Sequence, residues 1–181
     1  MGLEAARRAI FWDRDGTLMR EVEYCGRPDL VEAVGGAGEW MRRLASNGWL
    51  HVLVTNQSGI GRGYFTEDDF WRVNAELFRQ LGIEADGVYF CADVPPSGGR
   101  RRKPSPAMVF EACRDLGIEA ARSWFIGDKA VDVECGRRAG CRTILVLTGY
   151  GEKELGMCCP DFVEVDAVAA CERIAREEAL L

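Results

Sequence analysis

The chain has 181 residues, 48% hydrophobic and 29% charged, the balance of a soluble globular protein large enough to bury a core without disulfides. No apolar run approaches the roughly 20 residues of a transmembrane helix, and the charged start from Met1 to Arg8 lacks a signal peptide's apolar stretch and cleavage site. A formal net charge of −6 argues against a surface built to neutralise many phosphates, so neither membrane nor nucleic acid is the expected partner. The eight scattered cysteines, with no Cys-x-x-Cys, fit the reducing cytoplasm. One domain over residues 1–181 is expected, with monomer as the expected state.

Ala9-Ile10-Phe11-Trp12 is a short apolar run with aromatic and β-branched members, read as a buried strand. Asp13 and Asp15 follow at its end. In an extended chain alternate side chains share a face, so both carboxylates can point into one site while Arg14 points away. Gly16 lets the chain turn. Taken alone, an Asp-x-Asp is more often a solvated acidic turn than a site.

From Arg20 to Gly38 the chain is polar and rich in Gly. The spacing then predicts a helix over Glu39–Ala45, with Trp40, Met41, Leu44 and Ala45 on one side and Asn47-Gly48 closing it. Trp49–Val54 reads as a strand buried on both faces, delivering Thr55-Asn56-Gln57-Ser58-Gly59 at its end. His51, the single histidine, reads as a sheet residue. Thr66 and Asp69 form a capping signal for a helix whose Phe70, Val73, Leu77 and Leu81 recur at helical spacing.

Asp86–Cys91 is a third strand, followed by a loop of Pro, Ser, Gly and Arg that ends at Lys103-Pro104. Ser105 as N-cap and Pro106 at the first helical position open the next helix. Ser123–Ile126 is a fourth strand and delivers Gly127-Asp128-Lys129. A short helix over Val133–Ala139, strands over Thr143–Leu147 and Phe162–Val165, and a last helix from Asp166 to Glu178 complete the chain.

Strands alternating with helices predict a Rossmann-like α/β fold, a three-layer sandwich with a mainly parallel sheet. The segments after Asp15 and after Asn56 are used up by these elements, so no large cap domain is expected. In such a sheet the C-terminal strand ends share one edge, where ligands bind. That edge gathers Asp13 and Asp15, Thr55, Lys103, and Asp128 with Asp132. Crowded carboxylates need a cation, and an oxygen-only set suits Mg²⁺. Each residue also has a plainer reading. Lys103 ends the basic run Arg100–Lys103, and Thr55 is a strand-end hydroxyl. Asp132 is either an outer support of the site or an acid favoured by a helix N-terminus.

Asp13-Arg14-Asp15-Gly16-Thr17, Thr55, Lys103 and Gly127-Asp128 together resemble the four motifs of the haloacid dehalogenase (HAD) superfamily, a resemblance that runs from Arg8 to Gly151. Thr55-Asn56-Gln57-Ser58-Gly59-Ile60-Gly61-Arg62-Gly63, Arg102-Lys103-Pro104 and Gly127-Asp128-Lys129 look like its heptose-bisphosphate and histidinol-phosphate phosphatase branch. The resemblance implies a HAD-type fold and a Mg²⁺-dependent phosphatase that works through an aspartyl-phosphate. Asp13 would be the nucleophile, Asp15 would protonate the leaving oxygen and then activate water, and Asp13, Asp15 and Asp128 would surround the metal. Thr55 and Asn56 would bind the phosphoryl group, Lys103 would offset its charge, and Lys129 and Asp132 would stand behind them.

Arg102 would meet the far phosphate of a small phosphosugar, D-glycero-D-manno-heptose 1,7-bisphosphate, which loses its 7-phosphate. Histidinol phosphate, a polynucleotide 3′-phosphate, or phosphosugar binding without catalysis are the alternatives. Many members of this branch carry a zinc loop before Arg-Lys-Pro. Here Cys91 holds the first ligand position, but Asp93 replaces a ligand and Gly99 and Arg101 occupy the Cys-x-Cys positions, so a shortened loop without zinc is expected.

Overall fold

The computed structural model describes residues 6–95 and 99–180, so the expectations for residues 1–5 and for the middle of the loop before Arg102 fall outside it. In chain order the elements are β1 (Arg8–Trp12), α1 (Ala37–Ser46), β2 (Trp49–Asn56), α2 (Ser58–Gly61), α3 (Glu67–Leu81), β3 (Gly87–Cys91) and α4 (Ala107–Leu116). Then come β4 (Trp124–Gly127), α5 (Ala130–Ala139), β5 (Arg142–Val146), α6 (Gly151–Glu154), β6 (Phe162–Glu164) and α7 (Ala167–Glu177). All six strands pair in parallel, in the order β3-β2-β1-β4-β5-β6.

The continuous apolar strands follow from having helices on both sides. Ile10 and Trp12 point to one face, where α1, α3 and α7 contribute Met41, Leu44, Val73, Leu77, Cys171 and Ile174. Ala9 and Phe11 point to the other, packed on Met108, Val109 and Ala112 of α4 and Cys135 and Ala139 of α5. Alternation along a strand therefore requires an apolar residue at every position. The result is the expected three-layer Rossmann-like α/β sandwich. The chain lays down β1, β2 and β3 toward one edge, then returns to put β4 on the other side of β1. The crevice at such a reversal is where an open α/β sheet binds ligands.

Several boundaries differ from the sequence reading. Helix α4 starts at Ala107, with Pro106 in the capping position, although the Ser105 hydroxyl still accepts the Ala107 N–H at 3.3 Å. Helix α5 begins at Ala130 because the Asp132 carboxylate accepts the Lys129 N–H at 3.0 Å, which stabilises a first turn without apolar periodicity. In α1 the inward face is Ala37, Gly38, Met41 and Leu44. Ala45 is exposed, and Trp40 is half-buried beneath the Arg43 guanidinium. The Thr66–Asp69 capping box forms as expected. The four-residue helices α2 and α6 are too short to leave a periodic signal.

His51 is fully within the sheet, as expected, and its ring ties three elements together. The Trp12 indole N–H donates to His51 Nδ1 at 3.1 Å, so the ring proton belongs on Nε2, which donates to the Met41 carbonyl at 2.8 Å. Burial holds the imidazole pKa below its ordinary value, partly opposed by the Met41 carbonyl and Asp86. A depressed folded-state pKa means that the unfolded chain takes up the proton first. Stability is therefore present above about pH 6.5 and is lost as pH falls toward the folded-state pKa. In urea unfolding with Mg²⁺ present, His51→Asn is expected to be less stable than wild type at pH 7.5. The gap should narrow at pH 5.5, and a constant gap would contradict this origin.

Candidate active site

Strand β1 ends in Asp13, whose N–H continues the ladder by donating to the Ile126 carbonyl of β4 at 2.9 Å. This bond to the neighbouring strand fixes where the carboxylate emerges. Beside it, β4 delivers Asp128, and the first turn of α5 supplies Asp132. All three side chains are buried. One carboxylate oxygen from each lies within 4.8 Å of the others.

Lys103 reaches this cluster from the loop after β3. Its Nζ donates to Asp13 Oδ1 at 2.6 Å and to the Val54 carbonyl of β2 at 2.8 Å, and forms an ion pair with Asp132 Oδ1 at 2.7 Å. Burial by itself pulls the ammonium pKa down, but the charges of Asp13 and Asp132 outweigh it and leave the pKa above that of an ordinary lysine. One cation does not balance three carboxylates. Burial first, then the charges of Asp13 and Asp132, push the Asp128 carboxyl pKa well up; burial and Asp13 push Asp132 up against the pull of Lys103. Asp128 Oδ2 accepts the Tyr150 N–H at 2.8 Å, whereas its buried Oδ1 has no partner. A buried, unsatisfied carboxylate oxygen facing two more acids is a fit for a hard divalent cation.

The turn that brings these groups together depends on Gly16, at φ +81°, where a Cβ would collide with Asp128 Oδ2. Over Asp13, Asp132 and Lys103 opens a cavity of about 240 Å³, lined also by Asp15, Thr55, Gln57, Arg102 and Lys129. Its remaining wall is the segment Glu21–Cys25 with Tyr150 and the start of α2. The sequence reading missed that wall, since nothing in a polar Gly-rich stretch marks which residues fold over a site.

The other expected residues take particular places. Thr55 is buried at the end of β2, its hydroxyl accepting the Gln57 amide at 2.9 Å. Both ends of the Asn56 amide are engaged by the Lys103 backbone, accepting its N–H at 3.0 Å and donating to its carbonyl at 3.2 Å. Asn56 therefore holds Lys103 in place. Lys129 lies 3.4 Å from Glu21 and stacks on the Tyr150 ring. Arg102 lines the cavity while donating to the Asp93 carbonyl at 2.8 Å, and Arg101 turns outward to pair with Glu111. Asp132 uses one oxygen to cap α5 and pairs the other with Lys103.

Two placements depart from expectation. The Asp15 carboxylate stands apart from the acidic cluster, and Asp132 fills out that cluster instead. Arg14 leaves the cluster but does not turn to solvent. It is fully buried and curls back to bond both oxygens of Asp15, at 3.0 and 3.1 Å. Strand alternation gives only the direction in which a side chain leaves the backbone, and a side chain as long as arginine's can bend back within that constraint.

Residues 100–171 match the family model described as HAD-hydrolase-like. The D-glycero-D-manno-heptose-1,7-bisphosphate 7-phosphatase of Thermosynechococcus vestitus is 37% identical over 93% of this chain and 95% of its own length. That of Chlorobaculum tepidum is 41% identical over 84% of each chain. Among solved structures, the D,D-heptose 1,7-bisphosphate phosphatase of B. bronchiseptica complexed with magnesium and phosphate superposes with a TM-score of 0.87. It is 31% identical and covers 94% of this chain and 99% of that one. With its strand-end aspartates, buried lysine and reversal-point crevice, the chain belongs to the family of the heptose-bisphosphate 7-phosphatases, HAD-type phosphomonoesterases.

Proposed function

We propose that this enzyme hydrolyses the 7-phosphate of D-glycero-D-manno-heptose 1,7-bisphosphate in a Mg²⁺-dependent reaction. The observation that carries the reading is the buried triplet Asp13, Asp128 and Asp132 around the Lys103 ammonium, with Asp128 Oδ1 left without a partner. Asp13 and Asp128 would hold Mg²⁺, which when bound would neutralise the acids and the charge on the phosphoryl group.

The chain's own groups divide the remaining work. Lys103 fixes Asp13 Oδ1, and Oδ2 attacks phosphorus while the bond to the sugar oxygen breaks. Asp15 gives its proton to that leaving oxygen. In the second step its carboxylate takes a proton from water, whose oxygen attacks the aspartyl-phosphate and releases inorganic phosphate and the Asp13 carboxylate. The Thr55 hydroxyl donates to a phosphoryl oxygen. Lys103 also steadies the negative charge that builds up there, being already in position.

Arg102, on the cavity wall, suits the sugar's second phosphate, and a cavity of about 240 Å³ admits the phosphorylated end of a small sugar rather than a nucleic-acid duplex. The eight cysteines are all free thiols, which supports a reducing, cytoplasmic setting for this activity.

With Mg²⁺, phosphate release is expected from the heptose bisphosphate in preference to histidinol phosphate and a 3′-phosphorylated oligonucleotide. Preference for either of the others would replace the substrate reading. Asp13→Asn is expected to abolish release, and persistent turnover would refute the covalent route. Because Asp128 has a raised folded-state pKa, it costs the metal-free protein stability as pH rises from about 4 into the neutral range. At pH 8 without metal, Asp128→Asn should therefore melt at a higher temperature than wild type. The same variant should lose the Mg²⁺-dependent rise in Tm that wild type shows. An undiminished rise would remove Asp128 from the metal site.

A further inference from the structure

Arg14 is an expensive residue to bury. It is 0% exposed, and a guanidinium does not shed its proton in a protein, so its charge must be met inside. It is met with directed bonds. Nε and Nη2 donate to Asp15 Oδ2 and Oδ1 at 3.0 and 3.1 Å, a two-pronged grip on the carboxylate plane. Nη2 also donates to Gln57 Oε1 at 3.0 Å and to the Cys25 carbonyl at 3.4 Å, and Nη1 donates to Asn74 Oδ1 at 3.2 Å. Its Cζ lies over the Phe70 ring of α3, 5.3 Å from the ring centre.

Gln57 completes the frame. Its Nε2 donates to Asp15 Oδ2 at 2.8 Å and to the Thr55 hydroxyl at 2.9 Å. Three donors thus occupy Asp15, two on Oδ2 and one on Oδ1. Asn74 is buried within α3, away from the cavity lining, and its Nδ2 has no partner, so its contribution here is the bond to Arg14.

We infer that Arg14, steadied by Asn74 and Gln57, is a positioning residue for proton transfer: it holds the Asp15 carboxylate out of the metal cluster and at the cavity wall. This rests on the phosphatase reading above. The rival is a buried ion pair that only stabilises the fold. The two differ in how they depend on the leaving group. Transfer of phosphorus to Asp13 from a sugar ester needs a proton on the departing alkoxide. Departure of p-nitrophenolate, a weak base, needs none. In the second step both esters give the same aspartyl-phosphate and need the same carboxylate as base.

The test compares kcat/KM, which reads the steps through aspartyl-phosphate formation, for heptose bisphosphate and p-nitrophenyl phosphate. Arg14→Lys keeps the charge and loses the two-pronged grip. It is expected to lower kcat/KM on the sugar ester on the order of 100-fold and on the aryl ester less than about fivefold, as loss of acid catalysis predicts. It should also produce a burst of p-nitrophenol, because hydrolysis of the aspartyl-phosphate becomes slow. Asn74→Leu, which leaves every cavity residue in place, should show the same selectivity at several-fold size and decides the matter if Arg14→Lys does not fold. Equal losses on both esters, or no loss on the sugar ester in a folded variant, overturn the inference. Wild type that hydrolyses the aryl ester but not the heptose ester fails the substrate reading alone, and glucose 6-phosphate then serves as the alkyl ester. Wild type inert toward all three overturns the phosphatase reading and this inference with it.

Discussion

A single ammonium group organises the site. Lys103 Nζ joins the end of β1 through Asp13, the end of β2 through Val54 and the start of α5 through Asp132, all within 2.8 Å. Its own backbone is clamped by Asn56 of β2. Removing two or three charges from water is costly, and such a group persists only when its partners are well placed. Here they are, but the ledger of charge stays uneven. Three buried acids face one buried cation, and Lys129, in the cavity lining, only partly offsets the charge of Asp128. The balance of side chains, like their geometry, fits a hard divalent cation.

The sheet explains why residues so far apart in the chain meet at all. Parallel strands send every C-terminus to one edge, and the reversal between β1 and β4 leaves a crevice that no crossover helix fills. Backbone closeness then finishes the job: Gly16 and Gly149 press against Asp128 so tightly that a Cβ at either would strike its Oδ2. The Asp128 carboxylate is placed by contact as much as by hydrogen bonding.

Much of this was legible before the fold was known. Apolar runs marked the inner strands β1, β2 and β4 because a strand covered on both faces has no polar position to spare, and Thr66 with Asp69 marked α3 because capping chemistry is local. Asp13, Thr55, Lys103 and Asp128 were legible as strand-end chemistry. What escaped was whatever depends on a side chain's path or on a loop's fold. Arg14 bends back to Asp15, the acidic cluster gathers Asp132 and leaves Asp15 apart, and Glu21–Cys25 closes a wall from a stretch with no periodic signal. The family resemblance implies that Asn56 helps to bind the phosphoryl group. Only tertiary contact shows that its amide is spent on a neighbouring loop.

Arg102 and Lys103 are neighbours in the chain, yet they belong to different mechanical parts of the molecule. Lys103 is locked into the core by β1, β2 and α5, whereas Arg102 is fastened to Asp93 in a surface loop whose other arginine, Arg101, grips Glu111. One peptide bond separates a residue fixed in the core from one fastened within a surface loop. A change in that loop's length or ion pairs would move Arg102 while leaving in place the contacts that β1, β2 and α5 make with Lys103.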